Sequence, residues 1–483
     1  MPKLNLLSNS NIIDIHSSSL EVLENAGVIV KNRPAYKLLE DAGCFVESNL
    51  VKIPESLVDE QLKKVKSEFK LYSREGKKTY KVGGDNVIYN PGSAAIFFID
   101  RDTGIMRRAN SNDFRELVRL TDGLEYIHAQ STAMVPSDVP ENISDLYRLY
   151  LILKNSSKPI ITGAFTIEGL TYMKNLLETV IGGPEELRKK PRAIFDCCPS
   201  SPLMWSDVTC QNLLDCAEYG IPAEIIPAPQ MGATSPVSLA GTLVEANAEF
   251  LSGVVISQLV CPGTPIVYGG SPSVFDMRYL TARLGAVESV MTACASAQIG
   301  KHYGVPTHGY LGLSDSKTSD GQGSFESGMG ILLAALSGIN IVSGPGMQAS
   351  ENCQSLEKLV LDNEYCGAAF RLLNGIRVDD ISLATEVITK VGPGGHFLGE
   401  KHTRENLKRE HHIPSKVLDR LSPDAWVKDG SKSSSSRARE RAQSILQNHI
   451  PVPLAPEVGN ALEDEMKRIL KGYSLKPSNL SIL

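Results

Sequence analysis

The chain has 483 residues, a hydrophobic fraction of 42%, a charged fraction of 22% and a formal net charge of −6. These values are typical of a globular protein, and the acidic balance argues against binding of nucleic acid, which depends on clustered Lys and Arg. Nine cysteines without framework spacing, and a start without a signal-peptide pattern, lead us to expect a cytoplasmic protein with no membrane segment.

Residues 1–125 have the pattern of an N-terminal α+β extension. Two helical stretches end in Ala-Gly, at Ala26-Gly27 and at Ala42-Gly43. The run SAAIFFIDRDTGIMRRA, from Ser93 to Ala109, predicts a β-hairpin around Asp-Thr-Gly. A helix should follow, with Asn112 or Asp113 near its start.

Residues 126–425 alternate between short apolar runs and helical stretches, which predicts a catalytic α/β domain. Strand-helix alternation repeated about eight times is typical of a (β/α)8 TIM barrel. No dinucleotide glycine fingerprint or phosphate loop follows these runs, which argues against an open sheet. The predicted strands are YIHAQSTAMV, KPIITGAFT, RAIFDCCPSS, PAEIIPAPQM, TPIVYGGSPS, PTHGYLGLSD, NIVSGPGM and GHFLGEKHT.

Residues 426–483 have the pattern of a tail. The Ser-rich, locally basic run from Lys428 to Gln443 predicts a solvated linker that opens a helix, with a docking surface for an acidic partner as the alternative. The run NALEDEMKRILKGY predicts a short terminal helix.

The active site of a TIM barrel is built at the carboxyl ends of its strands. Glycines at several of these ends would permit a close approach to the backbone, or would serve ordinary turns. The strand-end residues are Gly163, Cys197, Cys198, Gln230, Tyr268, Gly269, His308, Tyr310, Asp315, Gly344, His396 and His402.

Three other chemistries have weaker support in this sequence. Cys197 and Cys198 are adjacent on a strand and so point to opposite faces, and no Cys-x-x-Cys or His-Glu-x-x-His spacing supports zinc. A hydrolase lacks a Gly-x-Ser-x-Gly elbow, and strand-end acids look too few for a paired-carboxylate glycosidase.

Aromatic side chains near the strand ends suggest a cage for a cation. Aromatic faces attract a cation with about 0.5–2 kcal/mol each, and such cages recur around quaternary ammonium groups. For each ring, the alternative interpretation is that it packs in the hydrophobic core. The candidates are Phe97, Tyr268, Phe275, Tyr310 and Phe397.

Three longer motifs extend this picture. They are GLSDSKTSDGQGSFES (residues 312–327), SGPGMQAS (residues 343–350) and GPGGHFLGEKHT (residues 392–403). Together they resemble the corrinoid-dependent trimethylamine methyltransferase family. In archaeal trimethylamine enzymes of that family a pyrrolysine lies at the barrel mouth, and we place its counterpart in the stretch Asp320–Ser324. Because this chain has only ordinary residues there, it resembles the branch without pyrrolysine, whose known members demethylate quaternary amines, glycine betaine foremost.

The resemblance implies a cytoplasmic methyltransferase that moves a methyl group from a quaternary amine, glycine betaine first, to Co(I) of a separate corrinoid protein, leaving dimethylglycine. The chain lacks an Asp-x-His-x-x-Gly pattern, so the corrinoid should belong to the partner. A quaternary ammonium already carries a neutral leaving group, so the enzyme would supply alignment, which contributes about 7–11 kcal/mol in favourable cases.

The site residues that we expect fall into three groups, with no metal ligand among them. Asp315 and Gln322 are expected to be catalytic by positioning the substrate or the corrinoid edge, and Gly321, Gly323 and Ser324 to bind the corrinoid. The ammonium cage would use Phe97, Tyr268, Tyr310 and Phe397, and the substrate carboxylate would bind His308, His396 or His402, with Arg278 as a further candidate.

Two other functions stay open beside this one. A zinc-dependent corrinoid methyltransferase for another methyl donor is the first, and a non-catalytic barrel that binds betaine or a corrinoid protein is the second. Choline, carnitine, γ-butyrobetaine and proline betaine are alternative substrates, and a homo-oligomer is expected on general grounds.

Overall fold

The fold is described from a computed structural model, which describes residues 3–476 and Leu480. The strands are β1 (Val28–Val30), β2 (Phe45–Glu47), β3 (Leu50–Lys52), β4 (Glu68–Tyr72), β5 (Thr79–Gly83), β6 (Ile88–Asn90), β7 (Phe97–Ile99), β8 (Met106–Arg108), β9 (Gln130–Ser131), β10 (Ile160–Thr162), β11 (Ala193–Cys197), β12 (Met204–Trp205), β13 (Ala223–Ile225), β14 (Gln230–Met231), β15 (Ile266–Tyr268), β16 (Ser273–Asp276), β17 (Thr281–Arg283), β18 (His308–Gly309), β19 (Ile341–Ser343), β20 (Met347–Gln348) and β21 (Cys353–Gln354).

The helices form the outer layer and the two ends of the chain. They are α1 (Asn9–Asn25), α2 (Arg33–Asp41), α3 (Glu55–Leu62), α4 (Ser111–Gly123), α5 (Ser144–Asn155), α6 (Gly169–Ile181), α7 (Pro184–Lys189), α8 (Asp207–Tyr219), α9 (Leu239–Val260), α10 (Val287–His302), α11 (Gly321–Ser337), α12 (Leu356–Leu373), α13 (Asp380–Leu383), α14 (Thr385–Val391), α15 (Lys401–Glu410), α16 (Pro423–Lys428), α17 (Ser434–Asn448) and α18 (Pro456–Gly472), with a 3-10 turn at Glu141–Ile143.

Eight short strands in the described part of the chain close into a barrel. Strands β9, β10, β11, β13 and β15 pair in parallel in that order, and β18, β19 and β6 form a second parallel run. A parallel bridge between Tyr268 and Thr307 joins the runs on one side. On the other side the amides of His128 and Ala129 donate to the Tyr89 carbonyl, at 2.8 and 3.2 Å. This is the predicted (β/α)8 TIM barrel.

Each barrel strand is followed by a helix of the outer ring, from α4 after β6 to α12 after β19. The long helix α9 is apolar on all sides because it packs against α1, α3, α8 and α10. By length and composition α9 would be able to cross a membrane, but 72% of its apolar window is buried, as in a core helix.

An apolar layer closes the amino-terminal end of the barrel. The β4–β5 hairpin places Leu71 and Val82 against inward-facing residues of the strands. We call this layer the barrel floor; the strand side contributes Ile88, Ala129, Ile161, Ile194, Val267 and Ile341. Polar groups in the interior therefore lie above the floor, towards the carboxyl ends.

The strand that completes the barrel is not the one that the sequence predicted. The run GHFLGEKHT (residues 395–403) was expected to be a strand, but it forms turns and the start of α15. The closing strand is β6, which pairs with β19 in the parallel sense. Its residues lie inside the segment 1–125, so that segment supplies part of the barrel wall. The domain divisions at residues 125 and 425 stay predictions.

Several local predictions are confirmed. Strands β7 and β8 form the antiparallel hairpin, and Asn110 caps α4 two residues before the expected start. The Ser-rich run opens α17, which packs along α12, and α18 is the terminal helix.

Candidate active site at the barrel mouth

The strand alternation brings a group of polar side chains into the barrel above its floor. On β11, Asp196 faces the interior beside Gly163, while Cys197 points outward to Cys216 of α8. Glu224 on the neighbouring strand is paired in register with Asp196. His308 of β18 and Tyr310, two residues later, join the same group, with Nε2 of His308 at 3.8 Å from Oε2 of Glu224.

Asp196 and Glu224 form a carboxyl pair on neighbouring strands. Glu224 is fully buried, and neither of its carboxyl oxygens has a hydrogen-bond partner; Oε2 lies 3.8 Å from Nε2 of His308. Burial raises the pKa of Asp196 to about 7, although Glu224, Ser93 and Arg148 oppose the shift. Burial, and then the charge of Asp196, raise the pKa of Glu224 well above its ordinary value. Two carboxyls this close share a proton near neutral pH rather than both ionise.

Glu351 adds a third carboxyl from the loop after β20. Burial, and then the charge of Asp196, raise the pKa of Glu351 to about 8. Three consecutive residues here, Ala349, Ser350 and Glu351, have φ values of 52°, 53° and 70°. Non-glycine residues in this left-handed region are strained, and such strain concentrates at functional sites. The loop that presents Glu351 is therefore held in place by its surroundings.

Hydrogen bonds lock the ring side chains that lie beside the acids. The Nε2 atom of His308 lies 2.9 Å from the Ser343 hydroxyl, which also accepts from Asn90 at 2.7 Å. Burial lowers the pKa of His308 to about 3, so the imidazole is neutral. The Tyr310 ring packs edge-on against His308 at 4.8 Å, and its hydroxyl lies 3.1 Å from that of Ser93.

A buried arginine, Arg148, lies beside the acids. Its Nη1 donates to the Thr132 carbonyl at 2.7 Å and its Nε to the Ser144 carbonyl at 3.2 Å. The guanidinium lies 4.5 Å from the centre of the Phe165 ring, whereas Nη2 is buried without a hydrogen-bond partner. Burial lowers the pKa of Arg148 to about 10, with Asp145 and Asp196 opposing that shift, so the group stays charged at neutral pH.

The group is enclosed and still open to solvent. Asp196, Cys198, Tyr310 and Glu351 are only half-buried, although burial is the first cause of each raised pKa. This combination is typical of side chains at the bottom of a concave opening. Around it, the loops at the carboxyl ends of the strands and the first turns of α10 and α11 carry exposed apolar side chains, which we call the mouth rim: Phe165, Val237, Met277, Leu280, Val287 and Phe325.

The loop after β18 does not face the barrel interior. It holds the loop that carries Glu351 in place. Asp315 is buried and accepts hydrogen bonds from the Gly285 amide at 3.1 Å and the Ser350 hydroxyl at 2.5 Å. The amides of Ala349 and Ser350 donate to the carbonyls of Ser316 and Ser314. Asp315 thus acts on the site through the Glu351 loop.

The predicted corrinoid-binding residues lie at the start of a helix. Asp320 caps α11 by accepting from the Gly323 amide at 2.8 Å, so Gly321, Gln322, Gly323 and Ser324 form its first turn. Gln322 is exposed and donates to Glu326. The stretch that we matched to the pyrrolysine position is therefore outside the barrel interior.

Of the predicted cage and carboxylate residues, the structure brings His308 and Tyr310 into the site. Tyr268 faces the helices: its hydroxyl donates to Asn247 of α9 at 3.1 Å, and its ring packs on Phe250 at 4.1 Å. Phe97 lies in the hairpin, and its ring faces the Arg108 guanidinium at 4.8 Å.

Three further predicted residues lie away from the barrel. His396 and Phe397 are exposed, and His402 contacts the Ile381 carbonyl at 2.9 Å. All three belong to a helical segment beyond α12. They were placed at the mouth because their motif was taken for the eighth strand.

Cysteines do not join these residues into a metal site. In the part of the chain that the structure describes, no three His, Cys, Asp or Glu side chains are grouped as metal ligands would be. Cys198 faces the acids, and burial together with their charges raises its pKa, so the thiol stays protonated.

Sequence reasoning missed the groups that dominate the site: Asp196, Glu224, Glu351, Arg148 and Ser93. A signal existed for two of them. Asp196 and Glu224 interrupt the apolar runs IFDC and AEII, and a charged residue inside a buried parallel strand is rare unless it has a role.

Comparison with known proteins gives the family. The family model for trimethylamine methyltransferase (MTTB) matches residues 1–472. The chain belongs to the trimethylamine methyltransferase family. A glycine betaine methyltransferase of Desulfitobacterium hafniense (strain Y51) is 34% identical over 465 residues, covering 96% of both chains. A trimethylamine methyltransferase, MttB, of the same species (strain DSM 10664 / DCB-2) is 31% identical and covers 98% of this chain and 95% of its own.

Membership of the trimethylamine methyltransferase family makes this chain a methyltransferase. The monomethylamine methyltransferase of Methanosarcina barkeri has a similar fold, with a TM-score of 0.50 over 92% of this chain and 95% of its own, at 12% identity. At that identity the likeness shows the barrel alone.

Proposed function

We propose that this methyltransferase moves a methyl group from a quaternary amine, with glycine betaine as the substrate, to Co(I) of a separate corrinoid protein, releasing dimethylglycine. The observation that carries the proposal is a group of acids in the barrel mouth beside a buried arginine, Arg148, whose Nη2 has no hydrogen-bond partner. The relative named glycine betaine methyltransferase supports the choice of substrate.

The ammonium end of the substrate fits the acidic side of the mouth. A quaternary ammonium cannot donate a hydrogen bond, so it is held by charge and by aromatic faces. Asp196, Glu224 and Glu351 supply the charge, and Tyr310 supplies a ring. Their raised pKa values mean that a permanent cation favours the ionised form of these carboxyls when it enters.

The carboxylate end of the substrate fits Arg148. Its free Nη2 is a buried donor without a partner, and such a donor is costly unless a ligand accepts from it. Arginine bonded to a carboxylate is among the stronger charge-assisted hydrogen bonds. A zwitterion thus satisfies both sides of the mouth, which choline, lacking a carboxylate, does not.

The partner's corrinoid would supply a strong Co(I) nucleophile for the methyl carbon. The chain's own residues bind and align the donor and keep water away from it. The mouth rim suits a docked protein, because exposed apolar side chains rimmed by polar ones mark interaction surfaces. A cation and an electron-rich nucleophile lose charge as they react, which a water-poor site favours over bulk water.

The raised pKa of Glu351 gives it a further role. Dimethylglycine is a basic tertiary amine once the methyl group has left, and it takes up a proton at neutral pH. Until the amine takes up that proton it is neutral, so the carboxylates lose their attraction for it, and Glu351, with a pKa of about 8, can regain a proton of its own. Loss of the permanent charge would therefore loosen the product.

The zinc-dependent alternative lacks a donor set in the described residues, and a non-catalytic barrel is at odds with the family. A cytoplasmic location belongs to the proposal, because the chemistry needs a reducing environment.

The test is methyl transfer in vitro. The purified chain, a reduced corrinoid protein and one amine are mixed, and the conversion of Co(I) to methyl-Co(III) is followed by its spectrum, with dimethylglycine measured in parallel. Glycine betaine should react, while choline, tetramethylammonium and trimethylamine should react slowly or not at all. If trimethylamine alone reacts, the proposed substrate is wrong. If none of the amines reacts, the proposed methyl transfer is wrong.

A further inference from the structure

A groove at the amino-terminal end of the barrel is lined by basic side chains. It has a volume of about 400 Å³ and three walls: β4 with the residues just before it, the chain from α7 to β11, and the loop of residues 261–265 before β15. Four cationic side chains line it, and no Asp or Glu among the described residues does. We call it the basic groove; its cations are Lys66, Lys70, Arg188 and Lys189.

The basic groove differs in charge from the chain as a whole. The two segments that supply its cations, residues 63–81 and 184–192, hold 12 Lys and Arg against 4 Asp and Glu, whereas the whole chain has a net charge of −6. Positive charge is thus concentrated at the end of the barrel that lies away from the acids of the mouth. A concave surface lined by one sign of charge attracts ions of the opposite sign.

Strand pairing places like charges side by side at this groove. Lys70 of β4 lies directly opposite Lys81 of β5, and like charges in this position destabilise a pair of strands. Lys81 has an ion pair with Glu68 at 2.6 Å. For Lys66 and Lys70, by contrast, the described part of the chain supplies no acidic partner. An anion bound beside Lys70 would therefore offset the repulsion within the hairpin.

The shape of the basic groove fits a small molecule. Its volume lies within the range of about 300–1,000 Å³ that is typical of small-ligand sites. Phe69 and Tyr72 add two rings to the lining. The Tyr72 amide donates to the Pro191 carbonyl at 2.9 Å, and the Tyr72 ring faces the buried guanidinium of Arg192 at 5.7 Å, so two of the walls are held together. A groove with three fixed walls admits a small molecule more readily than a bilayer surface or a nucleic-acid duplex.

The basic groove lies behind the barrel floor. Lys70 and Tyr72 line the groove, whereas Leu71 between them packs in the floor, as the alternation of a strand requires. One strand thus contacts the groove with one face and the barrel interior with the other. A ligand in the groove would order β4 and the floor without entering the barrel.

We propose that the basic groove is a second ligand site, which binds a phosphate-bearing small molecule. Its phosphates would lie between the lysines of β4 and Arg188, since Lys and Arg form charge-assisted hydrogen bonds with phosphate. Free polyphosphate and a nucleotide share this chemistry. They differ in whether Phe69 and Tyr72 take part, because only the nucleotide brings a ring of its own. The proposal is independent of the chemistry at the mouth.

Isothermal titration calorimetry of the full chain with inorganic phosphate, pyrophosphate and ADP tests the proposal. Pyrophosphate should bind more tightly than phosphate, because it reaches two cations at once. The Lys66→Gln/Lys70→Gln variant should bind pyrophosphate about 10- to 100-fold more weakly, as expected when hydrogen bonds to charged groups are removed. Lys416→Gln/Lys428→Gln is the matched control: it removes the same charge from exposed lysines outside the groove, and it should bind normally.

The same titrations distinguish the two sources of phosphate. If ADP binds more tightly than pyrophosphate, the site takes a nucleotide; if ADP binds equally or more weakly, the site takes free polyphosphate. Circular dichroism confirms that both variants are folded.

Lysine acetylation read by mass spectrometry is a second measurement, which does not depend on the folding of a variant. Pyrophosphate should protect Lys66 and Lys70 and leave Lys416 reactive. The proposal is wrong if none of the three probes binds at millimolar concentration, if both double variants lose the same affinity, or if Lys416 is protected equally. It is also wrong if phosphatidylserine vesicles protect Lys66 and Lys70 while pyrophosphate does not.

Discussion

Glu351 shows how a single carboxyl can set the pH dependence of binding. Its pKa is raised by burial to about 8 from 4.5, so the carboxyl is mostly protonated below pH 8 and ionised above it. A quaternary ammonium has no proton to lose, so any change of its affinity with pH comes from the protein. The affinity for a cation therefore rises as pH rises through the folded-state pKa.

This gives the first residue-scale prediction. Glycine betaine should bind about tenfold more tightly well above pH 8 than well below it, which corresponds to about one pKa unit of interaction. Isothermal titration calorimetry across this range measures the effect. Glu351→Gln should flatten the profile, while Glu288→Gln, on the exposed start of α10, should leave it unchanged. A pH-independent affinity for the unaltered chain contradicts this role.

Arg148 carries the second residue-scale prediction. Arg148→Gln should weaken glycine betaine binding about 10- to 100-fold, the loss of a charged hydrogen bond of about 1.5–3 kcal/mol, and leave tetramethylammonium binding unchanged. Arg278→Gln is the control, because Arg278 is exposed and paired with Asp276. Equal losses for both ligands would indicate a structural role, and a loss confined to the Arg278 variant would move the carboxylate site there.

At the scale of elements, glycines that looked alike in the sequence have different tasks. A Cβ on Gly344 would lie 2.5 Å from the Leu311 carbonyl oxygen, so the motif SGPG lets two strand ends of the barrel meet. A Cβ on Gly321, in the first turn of α11, would meet nothing within 4 Å. The sequence marks both as close-approach positions, but it cannot say whether backbone or ligand approaches.

Alanine substitutions distinguish the two positions. Gly344→Ala should destabilise the fold by about 1–3 kcal/mol through overpacking. Gly321→Ala should be neutral or stabilise it by about 0.5 kcal/mol, because alanine favours a helix over glycine. Denaturant unfolding measures both. A stable Gly321→Ala variant with impaired methyl transfer would support the predicted contact with the corrinoid, and unchanged transfer would remove Gly321 from that site.

Local sequence patterns predicted the helices and strands better than they predicted which strands pair with one another. The alternation of strands and helices identified the barrel, and Asp-Thr-Gly identified the β7–β8 hairpin. Strand β6 was missed because it has three residues and its neighbours β9 and β19 are distant in sequence. The motif GHFLGEKHT was assigned to the barrel because its apolar residues indicate burial. The sequence does not show which surface would bury them.

Only part of the candidate site was predicted, because local patterns do not show which distant residues come together. His308 lies on β18 and Tyr310 directly follows that strand, so both could be placed from the sequence. Arg148, Glu224 and Glu351 come from separate units of the barrel, and only closure of the barrel brings them together. Asp315 was predicted to position the substrate or the corrinoid edge, and that role stays a prediction; its hydrogen-bond partner Ser350 is 35 residues away, so its contact with the Glu351 loop is visible only in three dimensions.

At the scale of the whole molecule, the two ends of the barrel have different surfaces. The acids, Arg148 and the mouth rim lie at the carboxyl ends of the strands, whereas the apolar barrel floor closes the other end. A ligand would therefore reach the acids from the mouth.

The barrel floor has a kinetic consequence. With Leu71 and Val82 sealing the amino-terminal end, the proposed transfer would bring the small donor and the larger methyl-accepting protein to the same opening, the mouth. The donor would have to bind before the acceptor docks, and the product amine would leave only after the acceptor has dissociated. Turnover would then follow a compulsory order, in which dissociation of the two proteins limits the exchange of the amine.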